Sequence, residues 1–163
     1  MSSLTPFQTV GPYLRLGLRL GIQPATVMEG DTIVIRGYLL DGAGNGIPDG
    51  VLEWWHPSLH EVLRSLTASD GGFAIETVKP PAITAGGGTQ APHLALRVLA
   101  RGILTQYVTR VYFADDPLNG GDAVLAAVPE SRRQTLIARS QSPSEYRFDI
   151  VVQGENETVF FDI

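Results

Sequence analysis

The sequence predicts an all-β protein: a single antiparallel β-sandwich domain over residues 1–163, with an N-terminal interface arm over 1–30 and one or two short helices. Three observations carry this reading. Apolar side chains recur mostly at every second position, the period of a half-buried strand. Those segments are rich in β-branched and aromatic residues, which suit a pleated surface. Clusters of Gly, Asp, Asn and Pro separate them, as the turns of an antiparallel stack require.

The elements follow in order. Residues 32–40 (TIVIRGYLL) form the first strand and end at DGAGNG, whose glycines and Asp/Asn supply positive φ angles for a hairpin loop. A second strand covers 51–55. A third covers 73–78, after the Asp70-Gly-Gly72 turn, and stops at Pro80-Pro81. Further strands are predicted over 94–100, 107–113, 146–152 and 158–161. Asp122 is a candidate N-cap for a short helix over 123–127, and Pro129 opens a second helix running to 138, since proline is tolerated at the first helical position. Residues 17–30 read as irregular and 82–92 as a flexible glycine-rich loop. The segment 8–20 is apolar with no neighbouring partner strand; it packs either on its own sandwich or on another subunit.

Composition narrows the function. The chain has 163 residues, 44% hydrophobic and 18% charged, which is enough for one core and too little charge for a disordered chain. Its net charge of −5 offers no basic face for nucleic acid. With no cysteine, disulfides, thiolate metal sites and cysteine nucleophiles are all excluded, and a reducing compartment is favoured. The longest apolar run, 123–128, has six residues where about 20 are needed to cross a bilayer. The N-terminus has no signal-peptide pattern, so the expected location is the cytoplasm.

The catalytic inventory is small. His56 and His60 stand four apart, the spacing of helical zinc ligands, but Pro57 between them disfavours a helix there. The plainer reading is an exposed loop with two ordinary histidines. His93, at the start of a strand, reads as a hydrogen-bonded structural residue. There is no nucleophile elbow, phosphate loop or dinucleotide fingerprint, and Asp115-Asp116 reads as a solvated turn.

Several strings nevertheless share one pattern. Thr5-Pro6, Gln8 and Thr9-Val-Gly-Pro-Tyr13 come first, then DGAGNGIPDGVLEWW within 37–55. Thr77-Val-Lys-Pro80, Ala91-Pro-His93, Ala100-Arg-Gly102, Thr109-Arg-Val-Tyr-Phe113 and Tyr146-Arg-Phe-Asp-Ile150 follow in order, and QGENETVFFD closes the set at 153–162. Together they resemble the intradiol ring-cleaving dioxygenases over nearly the whole chain. The resemblance implies a β-sandwich in an αβ hetero-oligomer. It also implies insertion of both atoms of O2 between the hydroxyl-bearing carbons of protocatechuate to give a muconate, at a ferric ion held by two tyrosines and two histidines.

Carried over one at a time, those ligands are mostly missing. His93 occupies the first histidine position of His-x-His, but Ala95 occupies the second. One tyrosine position falls at Ile83. The other belongs to a loop shortened here to 56–67, which contains no tyrosine. The arginine before Pro-x-His becomes Gln90. One imidazole does not make a site for a hard trivalent ion. The resemblance is therefore to the family's ligand-poor alpha chains, and it implies that Fe(III) resides in a partner beta chain, with none bound here. Thr9, Gly11, Pro12 and Tyr13 would then form part of the wall of a shared pocket for protocatechuate and O2, and Arg101 would lie near its entrance. Arg110 is a weaker candidate, equally explicable as a strand-borne ion pair. Two other readings remain open: a stand-alone, inactive intradiol-like sandwich that self-associates and binds a small ligand, and an independent metalloenzyme using His56, His60 and His93. Metal analysis of the purified chain is expected to find iron and zinc well below one atom per chain; a stoichiometric metal would overturn the ligand argument.

Overall fold

The first strand, β1 (Thr32–Leu40), alternates outward and inward side chains, burying Ile33, Ile35 and Leu39. In the computed structural model, which describes residues 8, 9, 11, 13–19 and 31–162, this strand organises much of the sheet. Its sequence-near partner is β4 (Gly72–Val78), antiparallel along one edge. Its other edge receives β10 (Glu145–Arg147) and β11 (Ile150–Val151), both parallel.

From β10 the sheet continues through β9 (Ile137–Ser142), β8 (Tyr107–Phe113), β7 (His93–Leu99), β2 (Val51–His56) and β3 (Glu61–Leu66). The chain returns to β3 and β4 at opposite ends of this path, and the two contact each other, so the sheet rolls up until it is nearly closed. The two layers expected of a sandwich are thus joined through β9. The all-β class holds, but the pairing is mixed: β8–β9, β1–β10 and β1–β11 are parallel where an antiparallel sheet was expected. Parallel neighbours need long crossovers: β8 crosses to β9 through the segment that carries the two short helices, α2 (Ala123–Ala127) and α3 (Glu130–Arg133), while β1 and the C-terminal strands are separated by the strands β2 to β9.

The core fills the inside of the roll. Trp54 lies against Phe73 with ring centroids 5.7 Å apart and donates its indole N–H to the Ser65 hydroxyl at 3.0 Å. Phe113 meets the Tyr146 ring edge-on at 5.0 Å. Such tilted and edge-on aromatic contacts add to the burial itself.

Several expectations are corrected. The helix predicted to run to 138 ends early, because Ile137 and Ala138 pair with Tyr112 and Phe113, and strand pairing overrides helix propensity. The strand over 146–152 is broken at Phe148 and Asp149, where the Asp149 carboxylate accepts the Tyr38 N–H at 2.9 Å. Residues 158–161 form no ladder; Phe161 N bonds Val108 O, and the Phe160 ring stacks on Tyr107 at 4.7 Å. The loop over 82–92 contains a hairpin, β5 (Ile83–Ala85) and β6 (Gly88–Gln90), turned by Gly86 and Gly87, both at positive φ. β3 falls in the stretch read as a loop, since its mostly exposed side chains lack alternation. The short helix over 123–127 is present, capped by Asp122 as expected. In the arm, part of the segment read as irregular is helical: α1 (Tyr13–Arg19).

A Cβ on Gly37 would lie 1.6 Å from the carbonyl oxygen of Phe148, which is backbone and has no side-chain freedom to retreat. Gly37→Ala is expected to cost about 3 kcal/mol in a urea titration, or to prevent folding. A change within about 0.5 kcal/mol would contradict this close approach of β1 to the C-terminal strands.

Candidate functional site

Two regions carry the residues singled out in the sequence. In the first, the arm meets the loop after β7. The Thr9 hydroxyl accepts the Gly102 N–H at 3.1 Å, and Gly11, at φ +64, turns the chain into α1. From α1, Arg15 reaches Asp49 with an N–O distance of 2.9 Å, and Arg101 reaches the other carboxylate oxygen of Asp49 at 3.4 Å. Tyr13 and Leu16, one helical turn apart, point outward with 79% and 56% of their surfaces exposed. The structure therefore ties the arm that carries Thr9, Gly11 and Tyr13 to the loop that carries Arg101; Pro12 lies outside the described residues. Sequence reasoning missed Arg15 and Asp49. Asp49-Gly50 has the signature of a turn, and no local pattern announces an ion pair to residues 34 and 52 positions away.

The second region is where the family's iron ligands would stand. His93 is buried and donates its Nδ1–H to Ala91 O at 2.8 Å. Its ring lies 5.4 Å from that of Tyr112. The Tyr112 hydroxyl donates to Asp122 at 3.2 Å and accepts from Arg110 at 3.3 Å, while Arg110 also donates to the Gln90 side chain at 2.9 Å. Asp122, wholly buried, accepts the N–H groups of Ala91, Val124 and Leu125. Burial pushes its pKa up, but these donated hydrogen bonds outweigh that and hold it below the usual value. Burial pushes the Tyr112 phenol up to about 12.

This donor set does not fit iron. Ile83 and Ala95 offer only hydrocarbon, and Ala95 lies opposite Arg110 in the β7–β8 register. The Arg110 guanidinium, always protonated, adds to burial in lowering the His93 pKa. A trivalent ion placed beside this histidine would meet that fixed positive charge with too few anions to offset it.

His56 is not in an exposed loop, contrary to expectation. It is wholly buried, donating Nε2–H to Val78 O at 3.0 Å while Nδ1 accepts from Ser58 Oγ and Leu59 N. Both ring nitrogens are thereby committed. His60, at φ +52, lies with its ring 6.4 Å from that of Trp55. Among the described residues, no three His, Asp or Glu side chains converge as a metal site. On the outer face of the sheet, Trp55, Val62, Ala95 and Val108 line an open groove of about 440 Å³, edged by Glu53, Arg97 and Gln106.

Comparison with known proteins places this geometry. No family model matches the chain. The protocatechuate 3,4-dioxygenase alpha chain of Burkholderia cepacia is 37% identical, over 98% of this chain and 97% of its own length. The chain belongs to the family of protocatechuate 3,4-dioxygenase alpha chains. The family's beta chains are related too: that of Burkholderia cepacia is 28% identical over 79% of this chain and 67% of its own length. In fold the chain is similar to catechol 1,2-dioxygenase from Acinetobacter sp. ADP1, with a TM-score of 0.63 at 17% identity, over 87% of this chain and 60% of that one. Among the described residues of this family member, no helix is long and apolar enough to cross a membrane.

Burial holds both His56 and His93 below the usual imidazole value of 6.5. Each is neutral in the folded chain but free to take a proton when unfolded. The unfolded state therefore binds more protons as pH falls through 6.5, and stability drops with it. Asp41, Asp115 and Asp122, all held below 3.8, act only at lower pH. The urea midpoint is expected to fall steadily from about pH 8 to about pH 5.5, and a flat profile would mean that the histidines are not buried as described.

Proposed function

We propose that this chain is the non-catalytic alpha subunit of a protocatechuate 3,4-dioxygenase. In this reading it pairs with an iron-bearing beta chain in the cytoplasm and completes the pocket in which protocatechuate is opened to 3-carboxy-cis,cis-muconate. The rolled sheet is then a family sandwich whose layers are joined through β9. The observation that carries the reading is the apposition of Thr9 to Gly102 beside Arg101, with Tyr13 and Leu16 turned outward on the same arm. An arm tied to its own sheet on one side and apolar on the other suits a second subunit's surface. The poor donor set around His93 supports placing Fe(III) in the partner. Held there, Fe(III) would supply Lewis-acid activation of the catecholate.

The work left to this chain is positioning. Gly11 gives the pocket wall little side-chain bulk, which lets backbone approach a flat ring. Arg101, 51% exposed at its side chain, has donors available for the carboxylate that distinguishes protocatechuate from catechol. The second reading, a stand-alone inactive sandwich that self-associates and binds a small ligand, draws on the groove over Trp55 and Val62.

Co-expression with a candidate iron-bearing beta chain separates the two. A red-brown complex that co-purifies supports the alpha-subunit reading, and colourless homo-oligomers support the other. In the complex, Arg101→Ala is expected to raise KM for protocatechuate about tenfold, the usual scale for losing one charge-assisted contact, with little effect on an uncharged catechol. Equal effects on both substrates would remove the electrostatic role of Arg101.

A further inference from the structure

Asp49 stands out on three counts. It is one of two non-glycine residues at positive φ among the described residues, at +62. Both its carboxylate oxygens hold arginines, Arg15 from the arm and Arg101 from the loop after β7. And the loop that carries it is fastened to the core rather than left free.

The fastening is specific. Ile47 N bonds Leu39 O at the end of β1 at 2.8 Å. Thr67, wholly buried, donates its hydroxyl to Ile47 O at 2.9 Å and accepts the Gly50 N–H at 2.7 Å, while Thr67 N bonds Gly50 O at 3.0 Å. A Cβ on Gly50 would lie 2.7 Å from Leu39 Cδ2. Asp49 is thus a carboxylate on a rigid mount, and aspartate is among the few residue types that accept the left-handed backbone this mount imposes. Two guanidiniums on one carboxylate leave a net positive charge, so the cluster still attracts an anion.

We infer that Asp49 is a positioning residue: it latches α1 to the Arg101 loop and aims the Arg101 guanidinium at the carboxylate of an incoming aromatic acid. This rests on the function proposed above. Neither Arg15 nor Asp49 needs to touch substrate. The latch makes arm and loop one rigid unit, so that the wall formed by the arm and the cation at the pocket mouth keep a fixed spacing.

The test uses the αβ complex with Asp49→Asn, which keeps the shape and tolerates the same backbone, and with Asp49→Glu, which keeps the charge. Asp49→Asn is expected to raise KM for protocatechuate about tenfold while kcat and the KM for unsubstituted catechol change less than about twofold. Asp49→Glu, which keeps the charge but strains the left-handed backbone, should recover only part of the loss. Hydrogen exchange of the α1 amides should quicken in Asp49→Asn and equally in Arg15→Gln; the latter leaves the Asp49 loop intact and reads the latch by itself, even where the first variant folds poorly. KM rising alike for both substrates would reduce Asp49 to a structural role and overturn the inference. KM falling for protocatechuate would show that Asp49 competes with substrate, with the same consequence. Should Arg101→Ala discriminate between the substrates while Asp49→Asn does not, only this inference falls; should neither discriminate, the pocket reading falls with it.

Discussion

The structure depends above all on what β1 can accept along its two edges. One edge is taken by β4, which the chain reaches after β2 and β3; the other must wait for the C-terminal strands β10 and β11. Phe148 N bonds Arg36 O, and the Phe148 carbonyl sits where a side chain on residue 37 would have to be. Glycine at that position is the condition for closing the sheet. The same strand also reaches the candidate site, since its final residues, through Leu39, carry the loop that presents Asp49. Core architecture and surface chemistry are thus connected by a few backbone hydrogen bonds at one strand end.

Around His93 the fold is held by hydrogen bonds in place of the donor set that the resemblance implies. The tyrosine and second histidine positions that the resemblance implies carry Ile83 and Ala95, and hydrogen bonds supply the cohesion. The Asp122 carboxylate gathers backbone N–H groups from the start of β7 and the first turn of α2, while Tyr112 and Arg110 tie β8 to the Gln90 strand. A buried carboxylate is stable only when its acceptor capacity is used, and here protein donors use it.

Much of this was legible in the sequence. The strand 32–40 and the strand 107–113 match β1 and β8, because alternation and β-branched content agree there. The Asp122 cap was readable from one residue type before a short apolar run. What escaped has a common physical cause. β3 is exposed along most of its length and so lacks alternation; Ile137 and Ala138 are claimed by β8 from outside their local context; and His56 is buried by contact with Val78, 22 positions away. The Asp49 cluster was invisible for the same reason, since its three members are assembled by tertiary geometry alone. The family pattern, by contrast, named Thr9, Gly11, Tyr13 and Arg101 as candidates without any knowledge of Asp49.

The parallel return to β1 has a kinetic side as well. Val34 pairs with Glu145 and Leu40 with Val151, so β1 cannot be completed until strands far along the sequence are available. Contacts of such high sequence separation carry a large loop-closure entropy and slow the search for the native state. During that interval one edge of β1 stays unpaired, and an open edge of Ile, Val and Leu is a template for intermolecular pairing. The chain is therefore most prone to aggregate before β10 and β11 are in place, a vulnerability written by topology rather than by low stability of the finished fold.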